Sequence, residues 1–169
     1  MRPTLVLTSS WWLASPPTGV WALVADPATW PRWWQSVGAV VHLRSGSGVA
    51  GAPVARLASD WRSLTNWPLH LRVYCTVGAP GGMIEAHVGG DLQGGATWLF
   101  ALGESSGTEV TCRWELHLPR GLAGRLGFVT RLLFERRHFG RMRACALAMG
   151  QVLGCRMLPL REWSGALRN

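Results

Sequence analysis

The chain has 169 residues, 48% of them apolar and 15% charged, with a formal net charge of +8. That length fits one domain and is enough to bury well over half of the unfolded surface, so the fold needs no staple. The composition excludes a disordered chain, and apolar runs such as Val20–Ala25 are far shorter than the roughly 20 residues of a membrane-spanning helix.

The opening stretch, MRPTLVLTSSWWLASPP, carries one charge and no clean apolar core with a cleavage site, so it reads as the start of the fold rather than a signal peptide. A first strand is expected over about Leu5–Ala14. Ser15 offers an N-cap, and Pro16 has no N–H to lose at the first helical position. Asp26-Pro27 stops that helix, because the residue before proline is pushed out of the α region. A second short helix is expected over Thr29–Ser36, carrying Trp30, Trp33 and Trp34. Six alternating runs follow: about Gly38–Leu43, Val54–Ser63, Leu69–Val77, Met83–Asp91, Gly95–Gly103 and Thr108–Leu118. In TEVTCRWELHL, Val110, Cys112, Trp114, Leu116 and Leu118 share one face, while Thr111, Arg113, Glu115 and His117 share the other. That is the pattern of a half-buried antiparallel strand. Beyond Gly121 the period becomes helical. His138, Met142, Cys145, Met149 and Val152 form one stripe, flanked by Arg131, Arg136, Arg137, Arg141 and Arg143. The expectation is one α+β domain over residues 1–169. A curved antiparallel sheet of about seven strands would wrap a long C-terminal helix, with two short helices after strand 1.

All 17 basic residues are arginine. The positive surplus favours acidic partners. Base-stacking sites need tryptophan and arginine interleaved on one exposed face, whereas here they alternate onto opposite faces, so nucleic acid is not an expected partner. The Trp30–Trp34 segment is too short for a membrane-surface helix. Cys75, Cys112, Cys145 and Cys155 are far apart with no C-x-x-C pair, which reads as free thiols in a cytoplasmic protein. The histidines are scattered and imply no metal site, and no cofactor signature is present.

The order of elements, together with VWALVADPATWPRWW (Val20–Trp34), GDLQGGATW (Gly90–Trp98) and the His138-x-x-x-Met142 spacing, resembles the START-like (Bet v 1-like, SRPBCC) superfamily. Within it the chain is similar to the polyketide cyclase/dehydrase-like group, and the likeness covers essentially the whole chain. The resemblance implies a helix-grip fold whose cavity takes a lipid, sterol or polyketide and in some members cyclises or dehydrates it. It places the Trp30, Trp33 and Trp34 segment at one end of that cavity. In cyclases of this fold a strand presents a cavity arginine. Here Arg56, Arg62, Arg72 and Arg113 fall on the polar faces of their strands, and Arg141 on the helix flank is the arginine placed to reach in.

Alternation puts Leu57, Trp61, Val73, Cys75, Ala86, Val88, Trp98, Phe100, Cys112 and Trp114 on the inner face of the sheet. Phe134, Met142, Cys145 and Met149 face them from the helix. His138 lies on the same stripe and Ser59 shares a face with Trp61, so His138, Ser59 and Arg141 are the candidate catalytic groups. The expected function is to bind a hydrophobic polyketide- or lipid-like molecule and to cyclise it by folding and hydrogen bonding, without a cofactor. The alternative is a carrier or sensor of the same ligand. An acidic acyl carrier protein is a candidate partner for the helix arginines. The sequence leaves the oligomeric state open.

Overall fold

Residues 108–117 alternate between buried and exposed along their whole length. Such a strand has one face on a core and one in water. The computed structural model describes residues 4–47, 53–62, 70–77, 83–90, 92–117 and 128–167. Its elements are β1 (Thr4–Leu13), α1 (Pro17–Val24), α2 (Trp30–Trp33), β2 (Val37–Ser47), β3 (Pro53–Arg62), β4 (His70–Val77), β5 (Ile84–Gly90), β6 (Gln93–Leu102), β7 (Thr108–His117), α3 (Phe128–Val152) and β8 (Met157–Leu167). Among the described residues the strands form one curved antiparallel sheet in the order β2-β3-β4-β5-β6-β7-β1-β8. The long helix α3 packs on it, which makes an α+β helix-grip architecture.

The corner between β1 and α1 differs from its expected form. The residue capping α1 is Pro16, extended at φ −64° and ψ 150°, and no side chain caps the helix. Ser15 instead offers its carbonyl to the Thr108 hydroxyl at 2.6 Å, which ties the corner to the start of β7. After α1, a 3-10 turn over Pro27–Thr29 leads into the four residues of α2, shorter than the span expected for that helix.

An eighth strand follows α3. The helix ends with Gly154 in the left-handed region at φ 60°, where a side chain would be strained. The Cys155 N–H bonds the Gly150 carbonyl and the Gly154 N–H bonds the Gln151 carbonyl, which is a Schellman ending. It turns the chain back so that β8 pairs with the free edge of β1, with a bulge between Ser10 and Trp11. The helix stripe consequently stops at Met149. Val152, expected on the stripe, is 52% exposed, and Leu153 packs on the core in its place.

The core is one cluster. It takes Leu5, Leu7, Trp11 and Leu13 from β1, alternate residues of β5, β6 and β7, and Met142, Cys145, Ala146 and Met149 from α3. Val6 is buried outside that cluster, so the odd-numbered residues of β1 face inward. Gly94 lets β6 approach β7 closely, since a Cβ there would overlap the Glu115 carbonyl oxygen. Gly94→Ala is therefore expected to destabilise the fold by about 1–3 kcal/mol, as overpacking does. Urea unfolding checks it, and an unchanged midpoint would show that the strands separate without cost.

Candidate functional site

Helix α2 places three indoles in a row because its single turn follows directly on the Pro27–Thr29 turn. Trp30 and Trp34 are buried and Trp33 is half-buried. The Trp30 indole N–H donates to the Val24 carbonyl at 3.1 Å, and the Trp33 N–H to the Thr29 hydroxyl at 3.3 Å. Trp33 stacks on Trp34 with centroids 6.0 Å apart. Trp34 meets Trp98 edge to face at 5.9 Å, and Trp98 meets Trp11 in the same way at 5.7 Å. The rings thus run as one aromatic chain from α2 across β6 to β1. Edge contacts of this kind add about 0.5–1.5 kcal/mol each beyond buried area.

On the other side of Trp98, β7 and α3 close the interior. Trp98 is opposite Cys112 in register, and the Trp114 indole N–H donates to the Cys112 sulfur at 3.2 Å. Burial, and then Cys112 nearby, push the Cys145 thiol well above the usual range, so it stays protonated. The His138 ring meets Trp114 at 5.5 Å and Phe139 at 5.7 Å, both edge-on. His138 is 9% exposed, and its Nε2 is buried with no hydrogen-bond partner among the described residues. Burial first, and then the charge of Arg141, lower its pKa from 6.5 to about 3. The ring is therefore neutral at physiological pH. A ring held neutral in this way is not the proton-passing group that an unperturbed histidine offers. Arg141, one turn further on, is half-buried, and burial followed by the Arg137 charge lowers its pKa below the ordinary value.

The expected lining falls into three groups. Trp30, Trp34, Val73, Ala86, Val88, Trp98, Cys112, Trp114, Met142, Cys145 and Met149 are buried in the core, while Trp33, Phe100 and Phe134 are half-buried against it. The side chains of Leu57, Ser59, Trp61 and Cys75 lie outside the described residues. The backbone register sets Ser59 opposite Val73, Trp61 opposite Leu71, Cys75 opposite Ala86 and Leu57 opposite His42. Asp91 and Leu118 also lie outside the described residues. Two of the flanking arginines are already paired. Arg131 binds Glu135 at 2.7 Å, and Arg143 forks onto Glu162 of β8 at 2.6 and 2.8 Å. Arg136 and Arg137 are exposed.

The expected lining contains nothing from β1, yet the inner face of β1 carries Ser9 and Trp11. The Ser9 Oγ and Trp11 Nε1 are buried without a hydrogen-bond partner among the described residues, as is Trp21 Nε1 on α1. The signal in the sequence was a serine at an inward position of an otherwise apolar alternation, Leu5, Leu7, Trp11 and Leu13. Among the described residues no three His, Cys, Asp or Glu side chains converge as metal ligands do, and no helix is long and apolar enough to cross a membrane.

No protein-family model matches the sequence, and no curated protein does. Solved structures do match. The chain superposes on the Zhui aromatase/cyclase from Streptomyces sp. R1128 with a TM-score of 0.68 at 14% identity, covering 89% of this chain and 94% of that one. A START superfamily protein from Mycobacterium smegmatis gives 0.62 at 14% identity over 89% and 97%. The chain has the START-like fold. The di-domain aromatase/cyclase StfQ of the steffimycin biosynthetic pathway gives 0.70 at 13% identity, with 89% of this chain spanning 51% of that protein. In this START-like frame the described interior between β5, β6, β7, β1 and α3 is largely apolar, and His138 Nε2, Ser9 Oγ and Trp11 Nε1 are buried polar atoms in it with no partner among the described residues.

Proposed function

We propose that the chain binds a hydrophobic polyketide- or lipid-like molecule between the sheet and α3 and promotes its cyclisation. The observation that carries this is His138, a neutral imidazole held between aromatic rings with a buried Nε2 that has no partner among the described residues. A buried polar atom left unmet costs about 1–3 kcal/mol, which a ligand oxygen would relieve. The similarity in fold to aromatase/cyclases supports the substrate class. In the tautomer protonated on Nε2, His138 donates to a substrate carbonyl as negative charge develops on it. Arg141 and Ser59 are the proposed further contacts to substrate oxygens. Folding the chain so that its reacting carbons meet is the main contribution, worth up to about 7–11 kcal/mol in well-oriented cases. The exposed Arg136 and Arg137 are the proposed docking point for an acidic acyl carrier protein. Added salt should weaken that association several-fold.

A second reading, a carrier that binds without turnover, is favoured by the His138 pKa of about 3, poorly matched to base catalysis near neutral pH. Native mass spectrometry of the purified protein separates the two. The compound released on denaturation is identified, and its linear form is then incubated with fresh protein. A cyclised product formed by the protein, and formed more slowly by His138→Ala, is the expected result. Tight binding with no conversion means a carrier. Failure to bind any polyketide- or lipid-like compound would remove both readings.

A further inference from the structure

We propose that Ser9 and Trp11 of β1 form a binding site for an uncharged ligand bearing a carbonyl or hydroxyl oxygen, a site that rests on ligand binding in the same interior. The two residues stand two apart on one strand, so their side chains leave the same face. That face otherwise presents Leu5, Leu7 and Leu13 to the core. Both polar atoms are buried, and neither has a hydrogen-bond partner among the described residues. A serine hydroxyl in the middle of an apolar face weighs against folding unless something binds it, because the group has lost its water. Cys112, opposite Ser9 in register, already accepts the Trp114 N–H.

The chemistry of the site restricts the ligand. An indole N–H only donates, so Trp11 requires an acceptor, and the Ser9 hydroxyl either donates or accepts. Among the residues whose burial is described no Asp, Glu or Arg is buried, so a charged head group held at Ser9 and Trp11 would meet no counter-charge there. Trp98 lies 5.7 Å from Trp11 and Trp114 lies further along β7, which favours a flat apolar body. The ligand is therefore a neutral, largely apolar molecule with an oxygen that meets Trp11 and Ser9 from inside the grip. Both residues are closed over, so binding there requires the interior to open. Helix α3 is fastened toward β8 by the Arg143–Glu162 fork and by the Ser164 hydroxyl donating to Glu135, and it also meets the short helix α2.

Calorimetric titration of the full chain with benzophenone, with the shape-matched hydrocarbon diphenylmethane and with the anion diphenylacetate tests this. The wild type is expected to bind benzophenone about tenfold more tightly than diphenylmethane, and diphenylacetate more weakly than either. Ser9→Ala and Trp11→Phe should each reduce that preference severalfold. Ser9→Ala should leave diphenylmethane binding unchanged and melt at or slightly above the wild-type temperature, because it removes an unmet buried hydroxyl. A structural serine would give the opposite sign, a lower melting temperature with the preference intact, and that overturns the site. Equal binding of benzophenone and diphenylmethane by the wild type also overturns it, while leaving ligand binding itself standing. If none of the three compounds binds, the site is overturned, and the proposed function is then decided by the native mass spectrometry.

Discussion

Acidification from about pH 6.5 to about 4.5 is expected to cost the fold roughly 2–3 kcal/mol through His138 alone. Burial among Trp114, Phe139 and α3, with Arg141 adding repulsion, lowers its pKa from 6.5 to about 3. The unfolded chain takes up a proton at this histidine once the pH drops below 6.5, and the folded chain does not until about 3. In that window the unfolded state binds more protons, so stability rises with pH and falls as pH is lowered, by up to about 1.4 kcal/mol per unit. The contribution is complete above 6.5 and is lost progressively toward 3. Against a protein of ordinary stability, about 5–15 kcal/mol, a loss of that size is readily measured. Denaturant unfolding of wild type and His138→Leu over this range checks it. The variant should show a much shallower dependence, most cleanly above about pH 5.5, before ordinary carboxylates begin to titrate. Equal slopes in the two proteins would place the acid sensitivity elsewhere.

Trp98→Ala is expected to destabilise the protein by about 3–5 kcal/mol, a fall of roughly 10 °C in Tm for a chain of this size. Trp98 is 2% exposed and joins the two halves of the aromatic chain, touching Trp34 on one side and Trp11 on the other. Truncation leaves a cavity that neither neighbour can fill without giving up its own contacts. The adjacent Leu99, 47% exposed on the opposite face, is the control: Leu99→Ala should stay within about 0.5 kcal/mol of wild type. Calorimetric melting of the two variants makes the comparison. Similar losses at both positions would mean that the strand faces do not divide the energy in this way.

Much of the framework follows from local pattern. The alternation in Thr108–His117 and the stripe His138, Met142, Cys145 and Met149 give their elements correctly because strand and helix periods differ and each element has one buried face. The corner at Ser15 was misleading, since a serine before two prolines has the composition of a cap. The carbonyl of Ser15 bonds Thr108, a residue 93 positions away, which no local pattern contains. Strand β8 went unassigned for a related reason. Met157–Leu167 includes Pro159 and alternates weakly, and Trp163 remains 48% exposed. Such a segment becomes a strand because β1 offers it a free edge, and proline is tolerated on an edge strand.

The residues around the proposed site divide in the same way. His138 was legible as an inward residue from its helical spacing alone. That its ring is neutral and its Nε2 unmet depends on Trp114 and Phe139 closing over it and on Arg141 standing one turn away. Ser9 and Trp11 stand as neighbours on one face of a strand, but a serine inside an apolar alternation is silent until the surrounding strands show that none of the described residues bonds it. By itself the sequence determined the order of elements through α3, the inward faces of β5, β6, β7 and most of α3, and the START-like resemblance, because periodicity and chain order are local properties. Tertiary structure decided which buried polar atoms find partners, where β8 docks and how far the histidine pKa falls. Desolvation and hydrogen-bond satisfaction depend on every group brought within a few ångströms, whatever its place in the chain.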